Sequence, residues 1–255
     1  MALLKVEHIY KSFGGVKAIQ DFSIDANRGE IHGIIGPNGA GKTTIFNVIS
    51  GIYTADEGAV LLDGKDVTHM EQHLITREGM GRTFQNIRLF KGLSVLDNVM
   101  CAFDPQSRYG VVGSLLPLPK RFAEEKRGRE ICMGYLKMVG LEAYAQERPE
   151  NMSYGHRRKL EIARALTCNP KVMLLDEPAA GLNPVEVGEL TELIQRLSRE
   201  IGFVILLIEH RLELVMNISQ FIHVQNFGKT IAVGTPAEVR SNPEVIEAYL
   251  GKEEC

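Results

Sequence analysis

The sequence lacks an apolar stretch long enough to cross a membrane. The longest uncharged apolar run in its C-terminal half, residues 203–208, has six residues, whereas a membrane-spanning helix needs about 20. The N-terminus carries charged residues where a secretory signal would be apolar. We therefore expect a cytosolic start and a chain that does not cross a membrane by itself.

The sequence also has few cysteines and a small net charge. The four cysteines (Cys101, Cys132, Cys168 and Cys255) are widely separated, and no pair has the close spacing of a zinc or redox site. We expect reduced, mostly buried thiols. The chain has 29 Lys and Arg against 32 Asp and Glu, a net charge of −3. This near-neutral balance removes the broad electrostatic argument for nucleic-acid binding.

The remaining composition is that of a folded domain, with 44% hydrophobic and 24% charged residues among 255. Strands are predicted over residues 3–9, 19–24, 31–35, 60–63, 172–175 and 204–208. Helices are predicted over residues 42–49, 94–99, 121–139, 154–167, 185–200 and 212–218, with a Pro- and Gly-containing loop over 104–120. Strands that alternate with helices predict an α/β protein with a mainly parallel sheet.

The strongest local motif is GPNGAGKT over residues 36–43, between a predicted strand and a predicted helix. It fits the phosphate-binding loop pattern, because glycines let successive backbone N–H groups face phosphate oxygens at a helix N-terminus. Lys42 can reach the β- and γ-phosphates, and the Thr43 hydroxyl can bind Mg²⁺. A glycine-rich turn without a ligand is the alternative, which the flanking elements disfavour. The nucleotide-binding residues predicted here are Gly36, Pro37, Asn38, Gly39, Ala40, Gly41, Lys42, Thr43 and Thr44.

A second motif is an apolar strand that ends in two adjacent carboxylates, VMLLDE over residues 172–177. Neighbouring side chains on a strand point to opposite sides. Asp176 can therefore serve a Mg²⁺ ion while Glu177 faces a water beyond the γ-phosphate and acts as its general base. Two solvated acids that close a strand are the alternative, which the phosphate-binding loop makes less favourable.

The third motif, Ser153-Tyr154-Gly155, begins a predicted helix. A helix N-terminus with Ser and Gly can bind an anion through its free N–H groups. In isolation, Ser153 would be a simple N-cap that stabilises the helix by about 1 kcal/mol. Its position between the phosphate-binding loop and the acidic strand end favours a second phosphate site.

In this order the three motifs resemble the ATP-binding cassette (ABC) family over nearly the whole chain. Residues 36–43 resemble its Walker A loop, residues 153–155 its signature, and residues 172–177 its Walker B strand with the catalytic glutamate. The signature departs from the usual Leu-Ser-Gly-Gly-Gln at Met152 and His156. We expect both departures to be mild, because Ser153 and Gly155 carry the phosphate contacts.

The resemblance implies roles for further residues. Gln85 matches the Q-loop residue near Mg²⁺ and the attacking water, and His210 matches the switch histidine, so that the implied catalytic set is Glu177, His210 and Gln85. Phe13 matches the aromatic residue that stacks on adenine. Asn183 stands where the family usually has Asp, which removes a negative charge at the dimer contact.

The family also implies fold, cofactors and assembly. The fold is a P-loop NTPase of ABC type: a mixed, mainly parallel sheet core with an N-terminal antiparallel β-subdomain and an α-helical subdomain. We expect one nucleotide-binding domain over 1–255, with an ATP-binding core at 1–90 and 156–255 and a helical signature subdomain at 91–155. ATP and Mg²⁺ are the implied cofactors, with Thr43, Gln85 and Asp176 around the metal. Two copies would pair head to tail, so that Ser153 and Gly155 of one contact the ATP of the other.

Finer matching concerns the transporter type. Residues 81–90, 176–184, 208–210 and 234–251 resemble the ATP-binding subunits of bacterial branched-chain amino acid importers. The segment 104–129 resembles the longer of the two such subunits, and it is either a tolerated surface loop or a contact with the membrane partner. The ATPase of lipopolysaccharide extraction and the importers of urea or short amides are alternatives within the family. A soluble ABC ATPase that acts on ribosomes or nucleic acid is the alternative from another class, and such proteins usually carry two cassettes.

The importer interpretation predicts the partners. They are transmembrane permease subunits, a second ABC ATPase subunit that is identical or related, and, indirectly, a periplasmic binding protein, with no nucleic acid. The chain would lie peripherally on the cytoplasmic face of the inner membrane. Because a motor subunit does not touch the transported molecule, the substrate assignment depends on resemblance alone.

Overall fold

The computed structural model describes residues 2–103 and 119–250. In these ranges the strands are β1 (Leu4–Phe13), β2 (Val16–Ala26), β3 (Ile31–Ile35), β4 (Glu57–Leu62), β5 (Lys65–Asp66), β6 (Met80–Arg82), β7 (Val172–Asp176), β8 (Val204–Ile208), β9 (Phe221–Asn226) and β10 (Lys229–Gly234). The helices are α1 (Lys42–Ile49), α2 (Gln72–Arg77), α3 (Val95–Phe103), α4 (Pro119–Met138), α5 (Tyr154–Leu166), α6 (Pro184–Ile201), α7 (Leu212–Ile218), α8 (Pro236–Ser241) and α9 (Pro243–Leu250).

The strands form one mixed sheet in the order β5-β4-β1-β2-β10-β9-β3-β8-β7-β6. Strands β9, β3, β8, β7 and β6 run parallel to one another, and β1, β2, β4 and β5 pair antiparallel among themselves. Strand β10 connects the two groups, because it pairs antiparallel with β9 and parallel with β2. Every residue of β3, β7 and β8 is buried, as expected for parallel strands covered on both faces. The predicted mixed, mainly parallel sheet with an N-terminal antiparallel region is confirmed.

Several elements were not predicted from the sequence: β5, β6, β9, β10, α2, α8 and α9. Strand β9 was missed because His223 and Gln225 are buried in it, so that its sequence shows no apolar run. The predicted loop over 104–120 was wrong at its end, because α4 already begins at Pro119. Proline fits there, since the first turn of a helix does not need its N–H. The rest of that predicted loop lies outside the described residues.

The chain divides into two compact units, one formed by the residues up to Gln85 and from Pro170, the other by Asn86–Asn169. The first unit carries the sheet. The second carries α3, α4 and α5, together with two short 3₁₀ helices, Glu142–Tyr144 and Pro149–Asn151. The expected subdomain of 91–155 would end after the second residue of α5, whereas α5 lies wholly within the second unit. The expected division at residues 91 and 155 stays a prediction.

Three cysteines lie in the described ranges, and none of these is in a disulfide: Cys132 is buried, Cys168 partly buried and Cys101 exposed. Burial raises the pKa of the Cys132 thiol to about 11. The expectation of reduced thiols agrees with these positions, but the exposed Cys101 departs from the expectation of burial. Cys255 lies outside the described residues.

Across the two described ranges, none of the helices combines the length and the apolar composition that a membrane span requires.

A pair of buried histidines lies between neighbouring parallel strands of the sheet. His32 on β3 and His223 on β9 are 2% and 3% exposed, and their Nδ1 and Nε2 atoms are 3.3 Å apart. The other nitrogen of His32 lies 3.0 Å from a carboxylate oxygen of Glu30. Desolvation lowers the pKa of His223 to about 3. It also lowers the pKa of His32, although Glu30 opposes this. Both rings are therefore neutral in the folded protein at pH 7.

Acid should destabilise the protein through this pair. The unfolded chain protonates His223 near its ordinary pKa of 6.5, whereas the folded chain does so only near 3. Stability is therefore complete above pH 6.5 and falls as the pH decreases. When the pH decreases from 7.5 to 5.5, we expect His223 alone to lower the free energy of unfolding by about 1.4 kcal/mol. Urea denaturation at the two pH values measures this difference. The variant His223→Leu should remove most of this difference. Equal urea midpoints for the parent at both pH values would contradict the assignment.

Candidate nucleotide-binding site

The glycine-rich loop connects β3 to α1, and two of its glycines are required by the backbone. Gly36 has φ +151°, and a Cβ there would lie 2.1 Å from the carbonyl oxygen of Gln225. Gly41 has φ +97°, and its Cβ would lie 2.3 Å from the carbonyl oxygen of Ala18. The loop therefore packs tightly against neighbouring strands, and no side chain fits at either position.

Lys42 begins α1 and folds back over the loop. Its ammonium group donates hydrogen bonds to the carbonyl oxygens of Gly36 at 2.7 Å and Pro37 at 2.9 Å, and the residue is only 6% exposed. The next residue, Thr43, is exposed. The N-terminus of α1, with Lys42 and the exposed Thr43, thus lines one cleft, which suits a phosphate chain.

The loop forms one wall of a cleft of about 380 Å³, a volume within the usual range for small-molecule sites. The lining residues are Val16, Lys17, Ala18, residues 38–44, Glu177, His210 and Phe227. The structure therefore brings the loop together with Glu177 and His210, which are far apart in the sequence. Four lining residues were not predicted: Val16, Lys17, Ala18 and Phe227. Phe227 is 75% exposed, and an aromatic residue at a hairpin tip is the one signal that could have indicated it.

Glu177 follows β7 directly, with φ +46°. One carboxylate oxygen lies 2.9 Å from His210 Nε2, and the other accepts a hydrogen bond of 2.8 Å from the Gln85 amide. These three residues follow the adjacent parallel strands β7, β8 and β6, whose carboxyl ends meet at one edge of the sheet. The predicted catalytic residues are thus in direct contact, and the carboxylate is held at both oxygens.

Asp176 is the last residue of β7 and is 4% exposed. Its carboxylate lies 3.3 Å from a guanidinium nitrogen of Arg82, which also donates a 2.7 Å hydrogen bond to the Ser50 hydroxyl. Arg82 was not predicted as a site residue. It compensates the buried charge of Asp176.

The donor set suits a magnesium ion that arrives with a nucleotide. The described residues hold no group of three or more His, Cys, Asp or Glu side chains placed to bind a metal. Magnesium in nucleotide sites is held by one or two protein oxygen ligands together with substrate phosphates. The Thr43 hydroxyl and the Asp176 carboxylate are oxygen donors of this kind, and binding of Mg²⁺ by Thr43, Gln85 and Asp176 stays a prediction.

Phe13 is not among the residues that line the cleft. Its ring packs edge-on against Tyr53 at 5.1 Å between centroids, and the Lys11 ammonium lies 5.5 Å from the same ring. The ring is 42% exposed. Stacking of adenine on Phe13 stays a prediction.

Ser153 is the N-cap of α5, and its hydroxyl accepts a 3.2 Å hydrogen bond from the backbone N–H of His156. Ser153 is exposed and Gly155 is buried. The His156 ring packs against Tyr144 with 4.7 Å between centroids, so this departure from the family signature is accommodated within the second unit. The capping role is present, and the phosphate-binding role of Ser153 and Gly155 stays a prediction.

Asn183, a further departure, is the N-cap of α6. Its side-chain oxygen accepts hydrogen bonds of 3.0 Å from the backbone N–H groups of Val185 and Glu186, in a capping box with Glu186. Asn and Asp are about equally good N-caps. The substitution therefore leaves the local structure intact.

A phosphate-binding loop that shares its cleft with a carboxylate and a histidine, on a mixed sheet of this strand order, indicates a nucleotide-binding protein of the P-loop class. The model of the family described as ABC transporter matches residues 19–180. The chain belongs to the ABC transporter family, whose ATPases couple ATP hydrolysis to transport. A second model, described as branched-chain amino acid ATP-binding cassette transporter, matches residues 229–255.

Two similar transport proteins and a solved structure match nearly all of the chain. The chain is 42% identical over 250 residues to the high-affinity branched-chain amino acid transport ATP-binding protein LivG of Salmonella typhimurium, covering 98% of each protein. It is 40% identical, with the same coverage, to the protein BraF of Pseudomonas aeruginosa that carries the same description. The solved ADP conformation of MJ1267, an ATP-binding cassette of an ABC transporter, superposes with a TM-score of 0.85 at 34% identity, over 99% of this chain and all of that one.

Proposed function

We propose that the chain is the ATP-hydrolysing subunit of an importer for branched-chain amino acids. The observation that carries this is the likeness to LivG and BraF over 98% of each chain, together with the C-terminal match at residues 229–255. By this proposal the chain works on the cytoplasmic face of the membrane with separate permease subunits, and a periplasmic binding protein delivers the amino acid to them.

ATP is held by the loop of residues 36–44. The Lys42 ammonium, which bonds loop carbonyls, and the N-terminus of α1 neutralise the phosphate charge. Mg²⁺ would be held by Thr43 and Asp176, with Gln85 beside it, and when bound it neutralises charge on the phosphates. Phe13 is proposed to contact the adenine.

Glu177 takes the proton of the attacking water. The contacts with Gln85 and His210 at 2.8 and 2.9 Å aim its carboxylate, which is 15% exposed, into the cleft. A general base must be within hydrogen-bond reach of the proton that it removes. His210 orients this carboxylate and remains beside the water during attack.

Two cassettes, identical or related, complete each site. The N-terminus of α5, where Ser153 is exposed and Gly155 is buried, would bind the γ-phosphate of the ATP held by the other cassette. A helix N-terminus favours bound anions, so ATP joins the two cassettes and hydrolysis releases them.

Transport assays in proteoliposomes test the substrate. The full chain is reconstituted with its permease and binding-protein partners, and uptake of labelled leucine, isoleucine and valine is measured with urea as the comparison. We expect ATP-dependent uptake of the amino acids, and no uptake with Lys42→Ala, which lacks the phosphate-binding ammonium. Uptake of urea but of none of the amino acids would overturn the substrate assignment.

A further inference from the structure

Glu209 is a buried acid that the proposed roles leave without a function. It lies between the end of β8 and His210 and is 3% exposed. Desolvation raises its pKa, and backbone N–H groups oppose this rise. A carboxylate placed in the interior costs free energy unless it is hydrogen-bonded. What it bonds therefore indicates why it is there.

Its two oxygens bond two different segments. One accepts the backbone N–H of Ala179 at 2.6 Å, and the other accepts the backbone N–H of His210 at 3.1 Å. Ala179 is fully buried and lies in the turn that begins at Glu177, where the N–H of Ala180 bonds the carbonyl of Glu177 at 3.1 Å. Glu209 thus joins the turn of Glu177 to the loop of His210.

The hydrogen bonds that link these two segments require a carboxylate. The donors to Glu209 are all backbone N–H groups, those of Ala179, His210 and also Arg211 in the His210 loop, so their partners must be acceptors. An ionised Glu offers two acceptor oxygens, whereas Gln offers one oxygen and an NH₂ group that can only donate. Hydrogen bonds to an ionised acceptor are also shorter and stronger than neutral ones. Gln at this position would leave one of the two segments without its bond.

We propose that Glu209 is a positioning residue for ATP hydrolysis: its buried carboxylate joins the Glu177 turn to the His210 loop and so fixes the 2.9 Å contact between the side chains of Glu177 and His210. Glu209 is not among the residues that line the cleft, so it acts through these two residues. The inference rests on the proposed function, because it assumes that Glu177 and His210 carry out hydrolysis.

The variant Glu209→Gln tests this in the full chain. We expect kcat for ATP hydrolysis to fall about 100-fold, the size of effect that a misplacement of about 1 Å can have. KM for ATP should stay within about twofold, because the phosphate-binding loop is untouched. The matched control is Glu30→Gln, which also weakens carboxylate bonds, to Asn27 and His32, but outside the cleft. It should keep the parent kcat.

A double-mutant cycle with His210→Ala separates positioning from general damage. If Glu209 acts by aligning His210 with Glu177, the loss caused by Glu209→Gln should shrink to about threefold or less when the His210 side chain is already absent. Glu209→Asp keeps two acceptor oxygens on a shorter side chain. It should recover part of kcat, and it serves as the test variant if Glu209→Gln folds poorly.

Three results would overturn the proposal: a parent-like kcat in Glu209→Gln, a rise in KM that matches the loss of kcat, or an equal loss on the His210→Ala background. Failure of the proposed function is distinguishable from these. If the parent chain does not hydrolyse ATP at all, the proposed function fails. If the parent hydrolyses ATP and Glu209→Gln equals it, only the role of Glu209 fails.

Discussion

Replacing Glu177 with Gln should nearly abolish ATP hydrolysis while ATP binding persists. The amide is close in shape to the carboxylate and keeps an oxygen and an NH₂ group within reach of Gln85 and His210, which contact Glu177 at 2.8 and 2.9 Å. It cannot accept a proton from water, however. We expect the rate to fall by about 10²–10⁴-fold, the usual contribution of a general base.

Three measurements check this result: the rate of phosphate release, the affinity for ATP, and the elution volume of the variant with ATP. Because ATP binds and is not consumed, the variant should accumulate as a dimer. Glu78→Gln is the control, since Glu78 forms a surface ion pair with Lys65, and it should keep the parent rate. Hydrolysis at the parent rate by Glu177→Gln would show that another group is the base.

Replacing Gly36 with Ala should strongly destabilise the chain. The added methyl would lie 2.1 Å from the carbonyl oxygen of Gln225, at a φ of +151°, so both overlap and backbone strain oppose it. We expect a loss of about 3–5 kcal/mol of unfolding free energy. The affinity for ATP should fall as well, because the Gly36 carbonyl accepts a hydrogen bond from Lys42.

Thermal denaturation measures this effect, with a decrease in Tm of about 10 °C expected for a chain of this size. Gly64→Ala is the matched control. Gly64 also has positive φ, +79°, but an added Cβ would meet nothing within 4 Å. It should therefore show only the strain of a left-handed residue, about 1–2 kcal/mol. Equal losses in the two variants would mean that the contact with Gln225 relaxes without cost.

The secondary structure could be predicted wherever one residue pattern dominates a segment. The fully buried strands β3, β7 and β8 appear in the sequence as short apolar runs, and α5 and α6 show apolar residues at helical spacing. The short strand β6 could not be predicted, nor could β9, in which polar and apolar residues are both buried. Their stability comes from pairing with strands β7 and β3, which are distant in sequence, and not from a pattern of their own.

The candidate site also has some features that the sequence determines and others that only the tertiary structure shows. The sequence by itself determined the phosphate-binding loop and the acidic pair at residues 176–177, because the roles of these residues depend on neighbours a few positions away. Only the tertiary structure decided that Gln85 and His210 hold the two oxygens of Glu177, that Phe227 lines the cleft while Phe13 does not, and that Glu209 joins two loops. These contacts connect segments that meet only when parallel strands align their carboxyl ends, and no local pattern determines which side chains then touch.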